Sequence, residues 1–363
     1  MSRRLVVIGG TGLFGRAAVE LLRAEGFAPL IAARGSGRSG DTSPDLRVDA
    51  EDRQALRATL LPGDTVLDAA GPFQERSVAL VEAAIDVGCD VIDLSDSLDH
   101  FLAIDALRER IAAKGIRVLT SCSSVTTLLA ALVSASGVQD PVRVSVYLSP
   151  ASRVTATVGT GEALRHSLGR PIRILRRGRL VQARGWGESR AFQMPPPIGG
   201  ARGHLMESVH VATLPRIVPT LRDADFWVDS RVPGMNVALS VLARVPALAT
   251  RLTRARRLST FVARRFGSIA GGMLAEIEGG SGAVSQARVF ARQRSYLAAV
   301  APAVLAVRAL SHGRIPERGL VPHDRHVEPA ELFAYLGRLG IECSFSAPRI
   351  QGASGPTRDT GRS

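Results

Sequence analysis

The chain of 363 residues has a single lysine, Lys114, so arginine supplies almost all of its 46 basic residues. Lys114 lies before Gly115 at the end of an Ala-rich helical pattern, which nearly excludes a Schiff-base amine. The three tyrosines, Tyr147, Tyr296 and Tyr335, are followed four positions later by Ala151, Val300 and Leu339. A Tyr-x-x-x-Lys pair is therefore excluded, and no G-x-S-x-G, H-E-x-x-H or P-loop is present. Cysteine is scarce as well: Cys89, Cys122 and Cys343 lie far apart without a C-x-x-C. That excludes a disulfide framework and a thiolate zinc site. Aromatic residues make up only 4% and do not interleave with the arginines, which argues against stacking on nucleic acid. The longest apolar run, Tyr296–Val307, contains Pro302 and falls short of the ~20 residues that span a bilayer. No charged-then-apolar leader precedes Leu5, so a soluble, cytoplasmic protein is expected.

Hydrophobic residues reach 45%, enough for a folded core, and the length suits two domains. The formal charge of +13 is unevenly distributed. Residues 1–124 hold 14 basic and 18 acidic residues, whereas 125–363 hold 32 and 15. The arginine bias can reflect genome composition, but the asymmetry predicts two units of different job, the second facing something acidic.

The first 124 residues alternate short aliphatic runs with helical patterns. Strands are expected at Arg4–Gly9, Ala28–Ala33, Leu46–Val48, Thr65–Ala69, Val91–Leu94 and Ile116–Thr120. These runs lack polar alternation, as strands buried on both faces should. Phe14, Ala17, Ala18, Leu21 and Leu22 mark one helix face, as do Val78, Val81 and Ile85, then Ile104, Leu107 and Ile111. This alternation predicts an α/β fold with a doubly wound parallel sheet.

The turn after the first strand reads Gly9-Gly10-Thr11-Gly12-Leu13-Phe14-Gly15, containing G-x-G-x-x-G at Gly10, Gly12 and Gly15. In a Rossmann-type site Gly10 permits the tight turn, Gly12 lets the backbone approach a pyrophosphate, and Gly15 lets the helix pack on the strand. After the second strand the chain reads Ala32-Ala33-Arg34-Gly35-Ser36-Gly37-Arg38. An acidic residue there would hold a ribose 2′-hydroxyl; Arg34, Ser36 and Arg38 suit a 2′-phosphate, and hence NADP(H). Asp49 after the third strand has two readings left open, an acceptor for the adenine amino group or the cap of a helix from about Glu51. Ala70-Gly71-Pro72-Phe73 after the fourth strand should pass the ribose or nicotinamide.

These residues resemble the saccharopine dehydrogenase-like oxidoreductases. The resemblance rests on VVIGGTGLFGRAAVELL (6–22), AAGPFQERSVALVEAAIDVGCDVIDLSD (69–96) and VLTSCSSVTTLLAAL (118–132). More loosely it extends to 159–187 and 266–282. It implies a nicotinamide-dependent reductase whose second domain closes over the cofactor, acting on imine-forming or lipid enoyl substrates.

From residue 125 the alternation ends. A helix is expected at about Val125–Ser136, capped by Ser123 or Ser124, and a half-buried strand at Val142–Leu148. Glu162–Leu168 reads as helical, and Ile172–Arg184 as a basic hairpin turning at Arg177-Gly178. A Pro-rich loop follows at 194–200, one or two helices at 236–266 and paired strands at 273–294. Helical patterns at 296–311 and 329–339 come last. The expected organisation is an NADP-binding domain over 1–124, an α+β domain on a mixed sheet over 125–348, and a disordered tail over 349–363. The 329–339 helix is a candidate to pack back on the first domain.

Hydride transfer needs a proton donor or a charge-stabilising group near the C-terminal ends of the strands. That nominates Asp93, Ser95, Asp96 and His100 after the fifth strand and Cys122 with Ser123 after the sixth, with Asp96, His100 and Cys122 foremost. Asp96 or Ser97 could equally cap a helix from Leu98. Glu162, His166, His204 and His210 are candidates from the second half. No metal site is expected. In 236–266, Val237, Val241, Leu242, Val245, Leu248 and Leu252 form a candidate apolar stripe. Arg251, Arg254, Arg256, Arg257, Arg264 and Arg265 cluster beyond it, which suggests a surface for membranes or an anionic, lipid-like substrate. The leading expectation is an NADP(H)-dependent oxidoreductase acting on a small-molecule imine, carbonyl or enoyl substrate. A non-catalytic NADPH-binding regulator and a membrane-surface lipid enoyl reductase remain as alternatives, and a homodimer remains open.

Overall fold

In the computed structural model, residues 4–35, 43–244 and 256–350 are described. The first aliphatic runs become β1 (Leu5–Ile8), β2 (Leu30–Ala33), β3 (Leu46–Arg47), β4 (Thr65–Asp68), β5 (Asp90–Asp93) and β6 (Arg117–Leu119). All pair in parallel, with β1 between β2 and β4. Helices α1 (Leu13–Ala24), α2 (Arg53–Thr59), α3 (Ala79–Val87), α4 (Leu98–Asp105) and α5 (Arg108–Lys114) make the crossovers. The seventh strand comes from far along the chain: β15 (Gly319–Leu320) pairs in parallel with β6, giving the order β15-β6-β5-β4-β1-β2-β3. A two-residue strand with neither aliphatic run nor turn signal left no mark in the sequence.

The expected helix after β6 starts differently. Ser124–Leu128 is a wide π turn, entered at Ser123, whose backbone N–H donates to Thr126 Oγ1 at 3.4 Å, and α6 (Leu129–Ser134) continues from it. A second, mixed sheet follows. Its strands are β7 (Pro141–Ser149), β8 (Pro171–Arg176), β9 (Arg179–Arg184), β10 (Ser189–Gln193), β11 (Gly200–Met206), β12 (Asp223–Val228), β13 (Gly271–Gly279), β14 (Ala283–Ala291), β16 (Glu342–Phe345) and β17 (Arg349–Ile350). The main path is β10-β11-β12-β7-β13-β14-β16, with β8 joined to β12 and β17 to β14. The Pro-rich loop thus joins β10 and β11, whose strands the sequence pattern did not reveal. Arg349 and Ile350, assigned to a tail on composition, pair with β14 instead; the rest of that tail lies outside the described residues.

Helices α7 (Ser152–Thr155), α8 (Val158–Ser167), α9 (His210–Thr213), α10 (Met235–Arg244), α11 (Arg256–Phe266), α12 (Ala301–Ser311) and α13 (Pro329–Arg338) complete the chain. Helix α12 is buried along nearly its whole length and packs against α1, β4 and β5. Helix α13 lies on α12, α6 and β16.

The charge asymmetry has its counterpart inside the molecule. Arginines from beyond residue 125 meet carboxylates of the first 124 residues: Arg165 with Glu75 at 2.9 Å, Arg173 with Asp99 at 2.7 Å, Arg216 with Asp105 at 2.7 Å and Arg294 with Glu20 at 2.6 Å. Arg308 bridges Glu25 and Glu331. Much of what the basic half faces is therefore its own acidic half. Each such surface pair is worth ~1 kcal/mol or less, so the pairs set orientation more than stability.

Of the buried histidines, His210 lies on α9 in the second unit and His323 and His326 follow β15. Burial lowers His210 and His326 to about 4 and His323 well below the usual 6.5. His326 Nδ1 lies 2.9 Å from Thr127 Oγ1, with its Nε2 3.1 Å from the Val321 carbonyl. As pH falls from 6.5 towards 4, the unfolded chain binds protons that these rings refuse. Stability is therefore expected to fall across that window, by about 1.4 kcal/mol per pH unit for each ring. Urea midpoints measured across the window check this, and a flat profile would contradict it.

Candidate functional site

The site forms around the turn from β1 into α1. Gly9, not Gly10, takes the left-handed backbone, with φ of 75°. A Cβ on Gly9 would also stand 2.7 Å from the backbone of Ala70. Gly10 is required for a different reason, because its Cβ would meet Ile31 Cγ2 at 2.9 Å. At Gly15 a Cβ would stand 2.1 Å from the Gly9 carbonyl oxygen, so the helix can approach only without a side chain. Gly12 is different. Its Cβ would find only Gly9 O, at 3.3 Å, within contact range. Glycine is packed far less tightly there than at Gly15, and its exposed backbone lies on the solvent side, where a ligand would approach. Gly12 is also the N-cap of α1 and offers no side-chain cap, and no acid occupies the first turn. The amide end of a twelve-residue helix is left facing an anion. Thr11, Leu13 and Phe14 are half-buried around it.

Beyond β2, Arg34 is exposed, while Ser36 and Arg38 lie outside the described residues. The carboxylate of Asp45 is engaged at the far end of β2, accepting from Ile31 N at 2.8 Å. Asp49 accepts from Glu51 N at 3.1 Å, forming a local turn. The cap expected of it belongs to Asp52, which accepts from Ala55 N at 2.9 Å.

The Ala70–Phe73 loop is fastened by a residue that sequence reasoning passed over. Arg76 is almost buried; it pairs with buried Asp68 at 3.0 Å, contacts Glu51 and donates to the Ala70 carbonyl at 2.6 Å. Asp68 accepts in turn from Ala70 N at 2.9 Å. An aspartate ending an aliphatic strand with an arginine eight residues later was the available signal. Gly71 is exposed, and a Cβ there would meet nothing closer than 3.9 Å.

The acid–base candidates separate by burial. Ser97 caps α4, accepting from His100 N at 3.3 Å, which leaves Asp96 free of that duty. Asp96 keeps access to solvent, yet crowding by protein pushes its carboxyl above the usual range. The Gln74 amide donates to it at 2.9 Å, so it sits beside the Phe73 loop. His100 is 4% exposed, with its ring 5.4 Å from that of Phe73. Asp93 accepts from Ser95 N at 2.9 Å and Ser121 N at 2.8 Å, and burial raises its carboxyl against the opposing pull of His100. Asp93 Oδ2, His100 Nδ1 and the hydroxyls of Ser121 and Ser123 have no hydrogen-bond partner. These orphaned polar atoms collect after β5 and β6, where open parallel sheets receive ligands. Cys122 is wholly buried beside Thr127, and burial pushes its thiol upward.

From the second half, α8 reaches the Phe73 loop. Arg165 contacts buried Glu162 and pairs with Glu75, and His166 Nε2 lies 3.3 Å from it. Glu75, Glu162 and His166 are close enough to grip a cation, but Arg165 already balances both carboxylates. His204 instead stacks on Trp186, with centroids 4.7 Å apart, and His210 Nδ1 lies 2.9 Å from Ser208 Oγ; both pack within the second unit.

The family model of the saccharopine dehydrogenase NADP binding domain matches residues 5–119. Residues 5–119 are therefore similar to a nicotinamide-nucleotide-binding domain of the saccharopine dehydrogenase type. Over the whole chain the fold is similar to homospermidine synthase from Legionella pneumophila in complex with NAD. That likeness has 12% identity, covers 96% of this chain and 92% of the other, and has a TM-score of 0.66. Amine dehydrogenase from Mycobacterium smegmatis is 11% identical over 89% of this chain and 95% of its own, with a TM-score of 0.49. Comparison with curated proteins gave no match. No helix among the described residues is long and apolar enough to cross a membrane.

The glycines of the saccharopine dehydrogenase-type domain should behave in opposite ways. Gly15→Ala is expected to cost about 3 kcal/mol or more of stability through overpacking. Gly12→Ala should cost ~1 kcal/mol and yet weaken dinucleotide binding at least about tenfold, a difference of ~1.4 kcal/mol. Denaturant unfolding and calorimetric titration of both variants separate the two roles.

Proposed function

We propose that the protein is an NADP(H)-dependent oxidoreductase that moves a hydride to or from an imine, carbonyl or enoyl carbon of a small, anionic or lipid-like substrate. The carrying observation is Gly12, exposed and much less crowded than Gly9 or Gly15, at the uncapped end of α1. Gly10, Gly12 and the α1 amides would hold the pyrophosphate, and Ala70–Phe73 would border the nicotinamide. When bound, the nicotinamide supplies or accepts the hydride.

Arg34, exposed and close in sequence to Ser36 and Arg38, is the group proposed to recognise a 2′-phosphate. Asp45, whose carboxylate is held at the start of β2, is poorly placed to bind a ribose diol. Asp96 is proposed to exchange the proton with substrate, since a raised carboxyl open to solvent can hold a proton nearer neutral pH. Asp93 and His100 would position the loop behind it rather than touch substrate. Cys122 is assigned to packing.

Calorimetry tests the cofactor assignment. NADPH is expected to bind at least about tenfold more tightly than NADH, consistent with hydrogen bonds to charged groups. Arg34→Asp should narrow or reverse the preference, and equal affinities in the native protein would refute it. Once turnover is found by screening such substrates, Asp96→Asn should lower kcat by about a hundredfold or more while NADPH affinity is kept. An unchanged kcat would remove Asp96 from the reaction.

A further inference from the structure

The pair α10 and α11 breaks the rule that helices hide their apolar faces. Val237 and Val241, one turn apart on α10, are 70% and 50% exposed, while Leu239 and Ala243 face inward. On α11, Phe261 is 63% and Phe266 56% exposed. The apolar stripe expected in the sequence is therefore partly turned to solvent; Val245, Leu248, Leu252, Arg251 and Arg254 lie outside the described residues. The two helices are joined at one point. Ser152 Oγ, on α7, donates to the Arg231 carbonyl ahead of α10 at 3.4 Å and accepts from Ser268 N behind α11 at 3.1 Å.

The sequence of this segment is basic, and Asp229 just ahead of it pairs with Arg231 at 3.5 Å. From Arg231 to Ala275 the sequence contains eight arginines and no aspartate or glutamate. Elsewhere in the second half, arginines reach carboxylates of the first; among the described residues, no ion pair includes Arg244, Arg264 or Arg265. Exposed valine and phenylalanine beside unpaired arginine match the interface of an anionic bilayer, where rings enter the acyl boundary and guanidinium groups meet phosphates. We propose that α10 and α11 dock the protein on anionic lipid membranes. This goes beyond the proposed reaction and does not depend on it.

The test is co-sedimentation of the full chain with phosphatidylcholine vesicles, with and without phosphatidylglycerol, at physiological salt. Binding is expected only with phosphatidylglycerol. Phe261→Ser with Phe266→Ser, and separately Arg264→Glu with Arg265→Glu, should each weaken it at least about tenfold. Both variants should keep the native urea midpoint, so that loss of binding is not loss of fold. Absence of sedimentation, equal binding to both vesicle types, or binding unchanged in both variants would overturn the proposal. So would light scattering that shows a native dimer dissociated by the phenylalanine changes, because the face would then belong to a second copy. The vesicle readout requires neither cofactor nor turnover, so failure of the reductase reading leaves it intact.

Discussion

The first carbonyl of the glycine turn and the first turn of α1 share a space too small for one methyl group. With Gly15 bare, the axis of α1 is brought down onto β1, and its amide end is aimed over the top of the sheet. Everything that gathers there follows from that approach. Gly9 brings the turn against Ala70, so the loop after β4 is set by the same contact that sets the helix. Arg76 then fixes that loop to buried Asp68, and the Phe73 ring is held against His100. Positive dipole, bare backbone and acid–base candidates are thereby assembled by backbone proximity more than by long-range pairing.

The second unit is positioned electrostatically as well as by packing. Its arginines span the boundary to carboxylates on α1, α4 and the Phe73 loop. Arg165 lies closest to the proposed chemistry, since it ties α8 to Glu75, two residues after Phe73. Burial of α12 under the first sheet provides the apolar part of the same attachment. The two parts are thus held together by surface pairs of modest individual worth and one deeply buried helix.

Much of this was legible in the residues. Aliphatic runs without alternation marked six parallel strands, and glycine spacing marked the dinucleotide turn. The hairpin turning at Arg177-Gly178 was visible because its two positive-φ residues leave a compositional mark. Strands β10, β11 and β12 were hidden because Arg, Gly and Asp interrupt their apolar pattern, with Gly203 and Asp225 buried inside the second sheet. The role of Gly9 was misassigned to Gly10 because adjacent glycines are identical in sequence and distinguished only by φ. The burial of Cys122 and His100 was likewise unreadable, since the residues that cover them come from distant segments.

The return of β15 to the edge of β6, with α12 beneath the sheet, bears on where this protein can be divided. Residues 5–119 match a family unit as a stretch of sequence, yet the physical sheet is completed some two hundred residues later. A fragment ending near Leu119 would carry an uncovered strand edge beside β6 and a bare aliphatic face where Val304 and Leu305 otherwise sit. The stretch that matches the family model is consequently not a complete folding unit, and cutting the chain at its end would remove one edge of its own sheet.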